Sequence, residues 1–369
     1  MQKAMNRRQW LATTALSTTA LAAWPKRTWA ADKPASGKVI KLDQNENPYG
    51  ISKQVEQAIV SAASQSNRYP MRELGALRDL IAAREQVAKE CVLLGGGCTE
   101  VFSLVCLAYG TAGKQVLVAE PTYSGFNAYV ERLGGKLIRV PVDDRWQTDL
   151  DAMAARAAGT DLVYLCNPNN PTGTITGGEK LKQFCTAQAR ERMVLVDEAY
   201  FELVEDSRRV STVELVRQNA NVIVVRTFSK IFGLAGLRVG YAIAKPEIIA
   251  ELRRWQTNFC AVNRLGIVAA HAAYLDTEHI VRTRQRIAAA RTQLYPVLEK
   301  LGHKVIRDSQ ANFIAFEAKG GSPQLIERLQ KDHQIAVRPF EFFDRKWVRI
   351  SMGTDDEMAA LITALEAIG

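Results

Sequence analysis

A lysine that closely follows an apolar segment is the first residue whose type and surroundings suggest chemistry. Lys230 ends the run Thr-Phe-Ser-Lys after the apolar segment 221–225, and Arg238 follows eight residues later in a glycine-rich stretch. The lysine amine can form a Schiff base with an aldehyde cofactor. The hydroxyl groups of Thr227 and Ser229 and the guanidinium of Arg238 can hold a phosphate through charge-assisted hydrogen bonds. A Ser-Lys pair alone is more typical of an exposed lysine, so the interpretation depends on other segments.

Two further polar segments also follow apolar runs. Asn-Pro-Asn-Asn-Pro-Thr-Gly begins directly after 162–166, and Asp-Glu-Ala-Tyr directly after 193–196. A buried acid such as Asp197 can keep a pyridine nitrogen protonated, which makes the ring an electron sink. Asn170 and Tyr200 can form hydrogen bonds with a phenolate oxygen. Each segment alone is compatible with an ordinary turn or helix cap, but together they predict a site for a pyridine cofactor.

In this order and spacing, the motifs resemble those of the fold-type I, class I/II aminotransferases, which depend on pyridoxal 5'-phosphate (PLP). The histidinol-phosphate aminotransferase branch is the most similar. The resemblance runs from about Leu42 to Gly353 and rests on Asn-Pro-Thr-Gly, Asp-x-x-Tyr, Ser-Lys and the later arginine. Four such motifs in family order are far more specific than any one of them.

The resemblance implies a role for each residue of the cofactor site. Lys230 forms the Schiff base with PLP and moves the proton, and Asp197 pairs with the pyridinium nitrogen. A helical pattern opens at Gly-Gly-Gly-Cys-Thr-Glu, where free backbone N–H groups would meet the phosphate. The remaining cofactor residues are Tyr200 and Asn170 at the phenolic oxygen, Thr227, Ser229, Arg238, Cys98 and Thr99 at the phosphate, and Tyr123 stacked on the ring. The Cys98 thiol is expected to have no catalytic role.

Further residues are implied for the substrate and for assembly. Arg349 matches the arginine that binds the acid group of the substrate, and Arg338 matches a second anion-binding arginine of the histidinol-phosphate branch. Asn47 lies on the N-terminal segment that lines the substrate pocket. Tyr69 matches a tyrosine that reaches the cofactor phosphate of a partner subunit, which implies a homodimer with shared sites. An ordinary turn residue and a packed aromatic remain equally good interpretations of Asn47 and Tyr69.

These residues predict a transaminase that moves an amino group between an amine or amino acid and a 2-oxo acid such as 2-oxoglutarate. Two alternatives stay open: an exported aminotransferase for aromatic or other free amino acids, and a PLP-dependent decarboxylase. A non-catalytic binding protein is not favoured, because every residue that imine chemistry needs is present.

Short, continuous, β-branched segments separated by amphipathic stretches predict the fold. Strands buried on both faces imply an α/β protein with a three-layer, mostly parallel sheet and helices on both sides. Ligands in such folds bind beyond the carboxyl ends of the strands. A long helical pattern near 265–301 leads into a smaller α+β C-terminal domain. The predicted strands are 115–119, 162–166, 193–196, 221–225, 313–316, 335–338 and 347–351, and the later helices are 324–331 and 355–368.

The N-terminus resembles a twin-arginine (Tat) signal peptide. Arg7 and Arg8 precede a moderately apolar stretch, 11–23, that is too short for a membrane span, and Thr-Trp-Ala ends at position 30. We therefore expect a periplasmic protein that is free of the membrane after signal removal, with a cytoplasmic protein as the alternative. The predicted division is 1–30 signal peptide, 31–60 N-terminal arm and substrate-pocket segment, 61–265 large PLP-binding domain and 266–369 small C-terminal domain.

The overall charge and the remaining residue types favour small-molecule partners. The chain of 369 residues has a net charge of +9, and the first 30 residues contribute five positive charges and no acid. No basic run is interleaved with aromatic residues, so nucleic-acid binding is not expected. The four histidines lack ligand spacing, which predicts no metal site. No pair among the six cysteines has CxxC spacing, which favours core packing, although one or two disulfides stay open in an oxidising compartment.

Overall fold

The structure is a computed structural model that describes residues 39–256 and 261–369, without the side chains of 208 and 209. The predicted signal peptide at 1–30, the first residues of the predicted N-terminal arm and Cys260 lie outside the described residues. Ile40–Gly369 form one unit that contains two β-sheets. The predicted domain boundaries within it stay predictions.

The strands follow one another along the chain with helices between most of them. They are β1 (Ile40–Leu42), β2 (Val92–Gly95), β3 (Gln115–Glu120), β4 (Lys136–Pro141), β5 (Leu162–Cys166), β6 (Met193–Asp197), β7 (Val222–Thr227), β8 (Gly240–Ile243), β9 (Lys304–Val305), β10 (Phe313–Glu317), β11 (Ile335–Phe342) and β12 (Arg345–Ser351).

The α-helices of the described residues are α1 (Lys53–Ala63), α2 (Met71–Glu85), α3 (Gly97–Tyr109), α4 (Ser124–Arg132), α5 (Leu150–Arg156), α6 (Gly178–Gln188), α7 (Ser207–Val210), α8 (Val213–Arg217), α9 (Pro246–Trp255), α10 (Arg264–Leu275), α11 (Thr277–Lys300), α12 (Ser322–His333) and α13 (Asp355–Ile368). Short 3₁₀ turns lie at Lys89–Cys91, Phe201–Leu203 and Ala235–Leu237.

The larger sheet has seven strands in the order β2-β8-β7-β6-β5-β3-β4. Neighbouring strands from β7 to β4 are parallel, and β8 is antiparallel to both β7 and β2. Every residue of β5 and β7 is buried, which explains why β5 and the first four residues of β7 are continuous apolar runs rather than alternating ones. The predicted α/β fold with a mostly parallel sheet is confirmed.

Helices cover both faces of this sheet, so alternate residues of one strand pack in different cores. In β3, Val116 and Val118 pack with Phe102 of α3 and Ile248 of α9. Leu117 and Ala119 point to the opposite face and belong to the core that includes Leu181 of α6. A sheet between two helical layers is the three-layer arrangement that the sequence predicted.

The smaller sheet has the order β1-β11-β12-β10-β9. The short strand β1 pairs in parallel with the start of β11, and Leu42 lies opposite Val337. β11 and β12 are antiparallel neighbours in which Arg338 faces Arg349. The N-terminal segment is thereby hydrogen-bonded to the C-terminal part of the chain. The residues that follow β1 then reach the end of the larger sheet.

The prediction of one long helical segment near 265–301 is wrong in one respect, because the structure contains two helices there. α10 ends at Leu275 and α11 begins at Thr277. Asp276 between them has a non-helical backbone, and its carboxylate accepts a hydrogen bond from the backbone N–H of His279 at 3.1 Å. Aspartate is a preferred N-cap residue, and here it starts the second helix. Within 39–256 and 261–369, no helix is both long and apolar enough to cross a membrane.

Candidate active site

The polar segments that follow β5, β6 and β7 meet at one end of the larger sheet. Asp197 is the last residue of β6, Thr227 is the last residue of β7, and the Asn-Pro-Asn-Asn-Pro turn follows β5. They line a cleft of about 850 Å³ that also receives residues from α3, α4, β11 and β12. This is the position where ligands bind in open α/β sheets.

Lys230 projects into this cleft from the loop after β7. Its ammonium group donates hydrogen bonds to the backbone carbonyl oxygens of Gln44 and Asn45, both at 3.2 Å. Burial, together with the positive charge of Arg349, lowers the pKa of Lys230 to about 8. The neutral amine is therefore accessible close to physiological pH, which is the state a nucleophilic lysine requires.

Asp197 forms the floor of the cleft. The carboxylate accepts hydrogen bonds from the backbone N–H of Ala199 at 3.0 Å and from the hydroxyl of Tyr164 at 3.1 Å, and the Cys166 sulfur lies 3.6 Å away. Burial raises the pKa of Asp197 to about 6, because its charge has lost most of its water. A cationic ligand at this carboxylate would restore the charged form.

Tyr200 and Asn170 form a hydrogen-bonded pair next to Lys230. The Tyr200 hydroxyl oxygen accepts hydrogen bonds from the side-chain amides of Asn45 at 2.9 Å and Asn170 at 3.4 Å. Because both contacts use its lone pairs, the hydroxyl proton is left to donate to a ligand. Burial raises the pKa of Tyr200, so the hydroxyl keeps that proton.

The other end of the cleft has the features of an anion site. Arg238 donates hydrogen bonds to the hydroxyls of Ser229 at 3.3 Å and Thr99 at 3.4 Å. Thr99 lies in the first turn of α3, whose N-terminus has no side-chain cap. Uncapped backbone N–H groups and a guanidinium together favour a bound phosphate. Cys98 lies in the same turn, and burial raises the pKa of its thiol, so the thiolate is not formed at neutral pH.

Gly97 allows Arg238 to approach this helix end. It has φ +78, and a Cβ atom added there would lie 2.5 Å from a terminal nitrogen of Arg238. A larger residue would therefore be strained and would push the guanidinium away. Thr227 completes this end of the cleft, with its hydroxyl oxygen accepting a hydrogen bond from the backbone N–H of Ser229 at 3.0 Å.

Two arginines from the smaller sheet also line the cleft. Arg349 donates hydrogen bonds to the side-chain oxygen of Asn170 at 2.7 Å and to the backbone carbonyl of Asp43 at 3.1 Å, while its buried Nε has no partner in the part of the chain that the structure describes. Arg338, its cross-strand neighbour, is exposed to the cleft. Among the described residues, neither arginine forms an ion pair with a carboxylate.

The comparisons with known proteins identify the family. The family model described as "Aminotransferase class I and II" matches residues 37–365. This chain belongs to the class I and II aminotransferases. It is 38% identical to the histidinol-phosphate aminotransferase of Moorella thermoacetica over 89% of this chain and 85% of that protein.

Two further comparisons, one with a sequence relative and one with a solved structure, agree with this family. It is 34% identical to the aromatic amino acid aminotransferase of Cutibacterium acnes, over 88% of this chain and 91% of the relative. Among solved structures, the histidinol-phosphate aminotransferase of Sinorhizobium meliloti in complex with pyridoxal-5'-phosphate matches with a TM-score of 0.82 and 26% identity, over 95% of this chain and 100% of that one. The protein is thus a PLP-dependent aminotransferase similar to histidinol-phosphate aminotransferases.

The residues of the cleft fit the cofactor of this aminotransferase family. A buried carboxylate at Asp197 suits the pyridinium nitrogen, and the free donor of Tyr200 suits the phenolic oxygen. Arg238 and the N-terminus of α3 at Gly97 suit the phosphate. Bound PLP supplies an electron-withdrawing ring that stabilises negative charge on the substrate carbon. Lys230 lies between these groups, and its neutral amine can take the proton from the Cα atom of an amine donor.

Most residues predicted for the site line the cleft together, although their contacts with PLP and substrate stay predictions. Tyr123 lies at the start of α4, with its ring 6.0 Å from that of Phe102. The full set in the cleft wall is Cys98, Thr99, Tyr123, Asn170, Asp197, Tyr200, Thr227, Ser229, Lys230, Arg238, Arg338 and Arg349.

Two predicted residues do not line the cleft of this chain. The side chain of Asn47 donates a hydrogen bond to the carbonyl of Ile231 at 2.7 Å and accepts one from the backbone N–H of Tyr49 at 3.0 Å. These contacts use the amide to fix the local chain. Tyr69 is 74% exposed on the connection between α1 and α2, outside the cleft wall of its own subunit.

Sequence reasoning missed two residues that hold the site together. Asn45 has φ 54, and its side chain contacts Tyr200, yet the Asn-Glu-Asn-Pro run does not show which asparagine points inward. Tyr164 lies within the apolar run of β5 and was expected only as a core residue, although its hydroxyl reaches Asp197. A tyrosine two residues before the end of a buried strand was the available signal, because a buried hydroxyl needs a partner.

Proposed function

We propose that this aminotransferase moves the amino group of a donor that carries an acid group to a 2-oxo acid such as 2-oxoglutarate. The observation that carries the proposal is the arginine pair, Arg338 and Arg349, in the same cleft as Lys230 and without carboxylate partners in the described residues. Guanidinium groups bind carboxylate or phosphate through paired hydrogen bonds. In an alternating reaction, the two substrates would use this anion site in turn.

Histidinol phosphate is the first donor to test. The relative from Moorella thermoacetica carries that substrate in its name, and it covers most of this chain. A phosphate carries up to two negative charges at neutral pH, which matches two adjacent guanidinium groups better than a single carboxylate does. Under this proposal, Arg338 binds part of the donor phosphate and Arg349 binds the acid group of the acceptor.

A second candidate is an exported transaminase for free amino acids. The predicted signal peptide favours it, and so does the 34% identity to an aromatic amino acid aminotransferase. Arg338→Ala separates the two candidates. If the donor is phosphorylated, this change should lower kcat/KM for phosphorylated donors more than for plain amino acids. Equal losses for both kinds of donor would favour the free amino acids.

The experiment for the function as a whole is a screen of amino donors against 2-oxo acid acceptors with the purified, PLP-loaded protein. Keto product and carbon dioxide are measured in the same reactions. We expect the keto product of a donor with an acid group and a new amino acid from the acceptor. Release of carbon dioxide without amino transfer would overturn the proposal in favour of a decarboxylase.

We further propose a periplasmic location reached by the Tat route, with the cytoplasm as the alternative. The support is the pair Arg7 and Arg8 before a short apolar stretch. A fusion of residues 1–30 to a reporter that works only after folded export should lose export when both arginines are changed to lysine. Export that is unaffected by this change, or no export of the original fusion, would contradict the proposal.

The active unit is proposed to be a homodimer in which Tyr69 reaches the cofactor phosphate of the partner. The exposure of Tyr69 in the single chain supports this. Mixed dimers of Tyr69→Phe and Lys230→Ala subunits provide the test, because one of their two sites would have both residues intact. Activity that exceeds the sum of the two parent variants supports shared sites. No such gain in verified mixed dimers would contradict them.

A further inference from the structure

Asn127 has a side-chain amide that forms no hydrogen bond with the described residues. The residue is 7% exposed, and its Oδ1 atom is buried without a hydrogen-bond partner. Its Nδ2 atom forms no hydrogen bond with a described residue either. A buried amide without partners costs free energy, so native structures rarely keep one without a reason. Asn127 also lines the cleft that contains Lys230, which places its missing partner among the molecules that enter that cleft.

The position of Asn127 on α4 favours the substrate over the cofactor. Tyr123, predicted to stack on the cofactor ring, precedes it by four residues, and Glu131 follows it by four. Residues at this spacing lie on one face of a helix, about 6 Å apart along its axis. All three line the cleft, and the side chain of Glu131 is 52% exposed. This face therefore leads from the cofactor position to the cleft mouth, and Asn127 lies between the two.

The charges near the mouth favour a hydrogen-bond donor as the missing partner. Arg139 contacts the carboxylates of Glu120 at 3.0 Å and Glu131 at 2.8 Å, so two acids share one base. The wall around Asn127 therefore has a formal charge of −1, whereas the part of the wall from β11 and β12, with Arg338, Glu341 and Arg349, has a formal charge of +1. A ligand with an acid group at one end and an N–H group at the other complements both walls.

We propose that Asn127 binds the side chain of the amino donor and selects donors whose side chain carries an N–H group over donors with a hydrocarbon ring. This inference rests on the proposed transamination of an acid-bearing donor. It adds a residue that binds the donor at the end away from its acid group. A 180° rotation of the amide exchanges its oxygen and nitrogen and turns the oxygen to the cleft. There the oxygen accepts a hydrogen bond from the ring nitrogen, and the nearby negative charge favours a protonated ring.

The test compares two donors that differ only in the ring. Histidinol phosphate and phenylalaninol phosphate share the amine and the phosphate, and histidine and phenylalanine form the same comparison for free amino acids. Asn127→Leu keeps the size of the side chain and removes its polar atoms. We expect kcat/KM for the imidazole donor to fall about 10-fold or more, which corresponds to one lost hydrogen bond with its desolvation cost. The value for the phenyl donor should stay unchanged or rise.

Two further variants separate substrate binding from a structural role. Asn127→Asp keeps the acceptor oxygen and should preserve the preference for imidazole. Arg132→Gln, on the same helix outside the cleft wall, should leave both donors unaffected. Because no described residue bonds to the Asn127 amide, Asn127→Leu should not lower the melting temperature. A lower melting temperature with equal losses for both donors would overturn the inference.

A binding measurement keeps the inference testable if no turnover is found. The deaminated analogue of histidinol phosphate cannot react, and calorimetry on the PLP-loaded protein measures its dissociation constant. Asn127→Leu should weaken this binding about 10-fold. Unchanged binding, or an unchanged donor ratio, would overturn the role of Asn127. A wild-type protein that transfers no amino group but binds the analogue through Asn127 would contradict only the proposed function.

Discussion

The side-chain amide of Asn45 donates a hydrogen bond to the hydroxyl of Tyr200 across 2.9 Å, although 155 positions separate them. The backbone carbonyl of Asn45 also accepts hydrogen bonds from Lys230 at 3.2 Å and from the amide of Asn312 at 2.9 Å. The segment after β1 thus bonds to both the lysine and the tyrosine of the active site. This explains why the pairing of β1 with β11 matters for chemistry at the end of the larger sheet.

Lys230→Ala should abolish transamination and the covalent attachment of PLP. Borohydride reduction followed by peptide mass spectrometry measures the attachment. In the wild-type apoprotein, the rate of attachment should rise with pH through about 8, because burial lowers the pKa of Lys230 to that value and only the neutral amine condenses with an aldehyde. Lys53→Ala, at an exposed position of α1, should behave like the wild type. PLP fixed by borohydride in Lys230→Ala would disprove the assignment.

Asp197→Asn should leave the fold and bound PLP in place but slow proton transfer at least about 100-fold. The amide cannot supply the counter-charge that keeps the pyridinium protonated. Absorbance of the bound cofactor and single-turnover rates measure the two effects separately. Asp332→Asn, on the exposed end of α12, is the matched control. A near-normal rate in Asp197→Asn would mean that another group protonates the ring.

Gly97→Ala should lower the affinity for PLP about 10-fold or more. The new Cβ would meet Arg238 and displace one of the groups that hold the phosphate. Gly113→Ala is the matched control, since Gly113 has φ +83 but nothing within 4 Å of an added Cβ. Both variants should lose about 1 kcal/mol of stability from backbone strain, and only Gly97→Ala should bind PLP more weakly, as measured by fluorescence titration. Equal PLP affinities of Gly97→Ala and Gly113→Ala would contradict the role of Gly97 at the phosphate.

Arg349→Lys should raise KM for the 2-oxo acid acceptor about 10-fold, because an ammonium group cannot reproduce the two parallel hydrogen bonds of a guanidinium. PLP binding should persist, since Arg238 and not Arg349 lies at the phosphate end of the cleft. Arg345→Lys on the same strand, where the arginine pairs with Glu317 at the surface, should leave KM unchanged. Loss of PLP together with the rise in KM would show that Arg349 supports the cofactor site instead.

The parts of the fold that depend on local sequence could be predicted. β5, β6 and β7 each contain a continuous apolar run of at least four residues, and the motifs that follow these runs are local as well. Their meeting at one sheet end follows from the parallel arrangement. β4 was missed because this edge strand is mostly part-exposed and mixes Lys136 and Arg139 with apolar residues. The antiparallel β8 was missed because it has only four residues.

Contacts between distant segments were beyond prediction from the sequence. Nothing local distinguishes Asn45 from Asn47, because the strand pairing with β11 decides which of them faces Tyr200. The free amide of Asn127 is also invisible in the sequence, since a helical asparagine usually finds water or a neighbour. Asn45 became evident from its hydrogen bond to Tyr200. Asn127 became evident because its amide has no partner among the described residues.

Transfer of a nitrogen label tests the central claim most directly. PLP-loaded protein is given histidinol phosphate with a labelled amino group and unlabelled 2-oxoglutarate, and the products are analysed by mass spectrometry. We predict that the label appears in glutamate in equal amount to the keto product of the donor, and that Lys230→Ala produces neither. Release of the label as ammonia, or formation of the keto product without labelled glutamate, would contradict an aminotransferase acting on this donor.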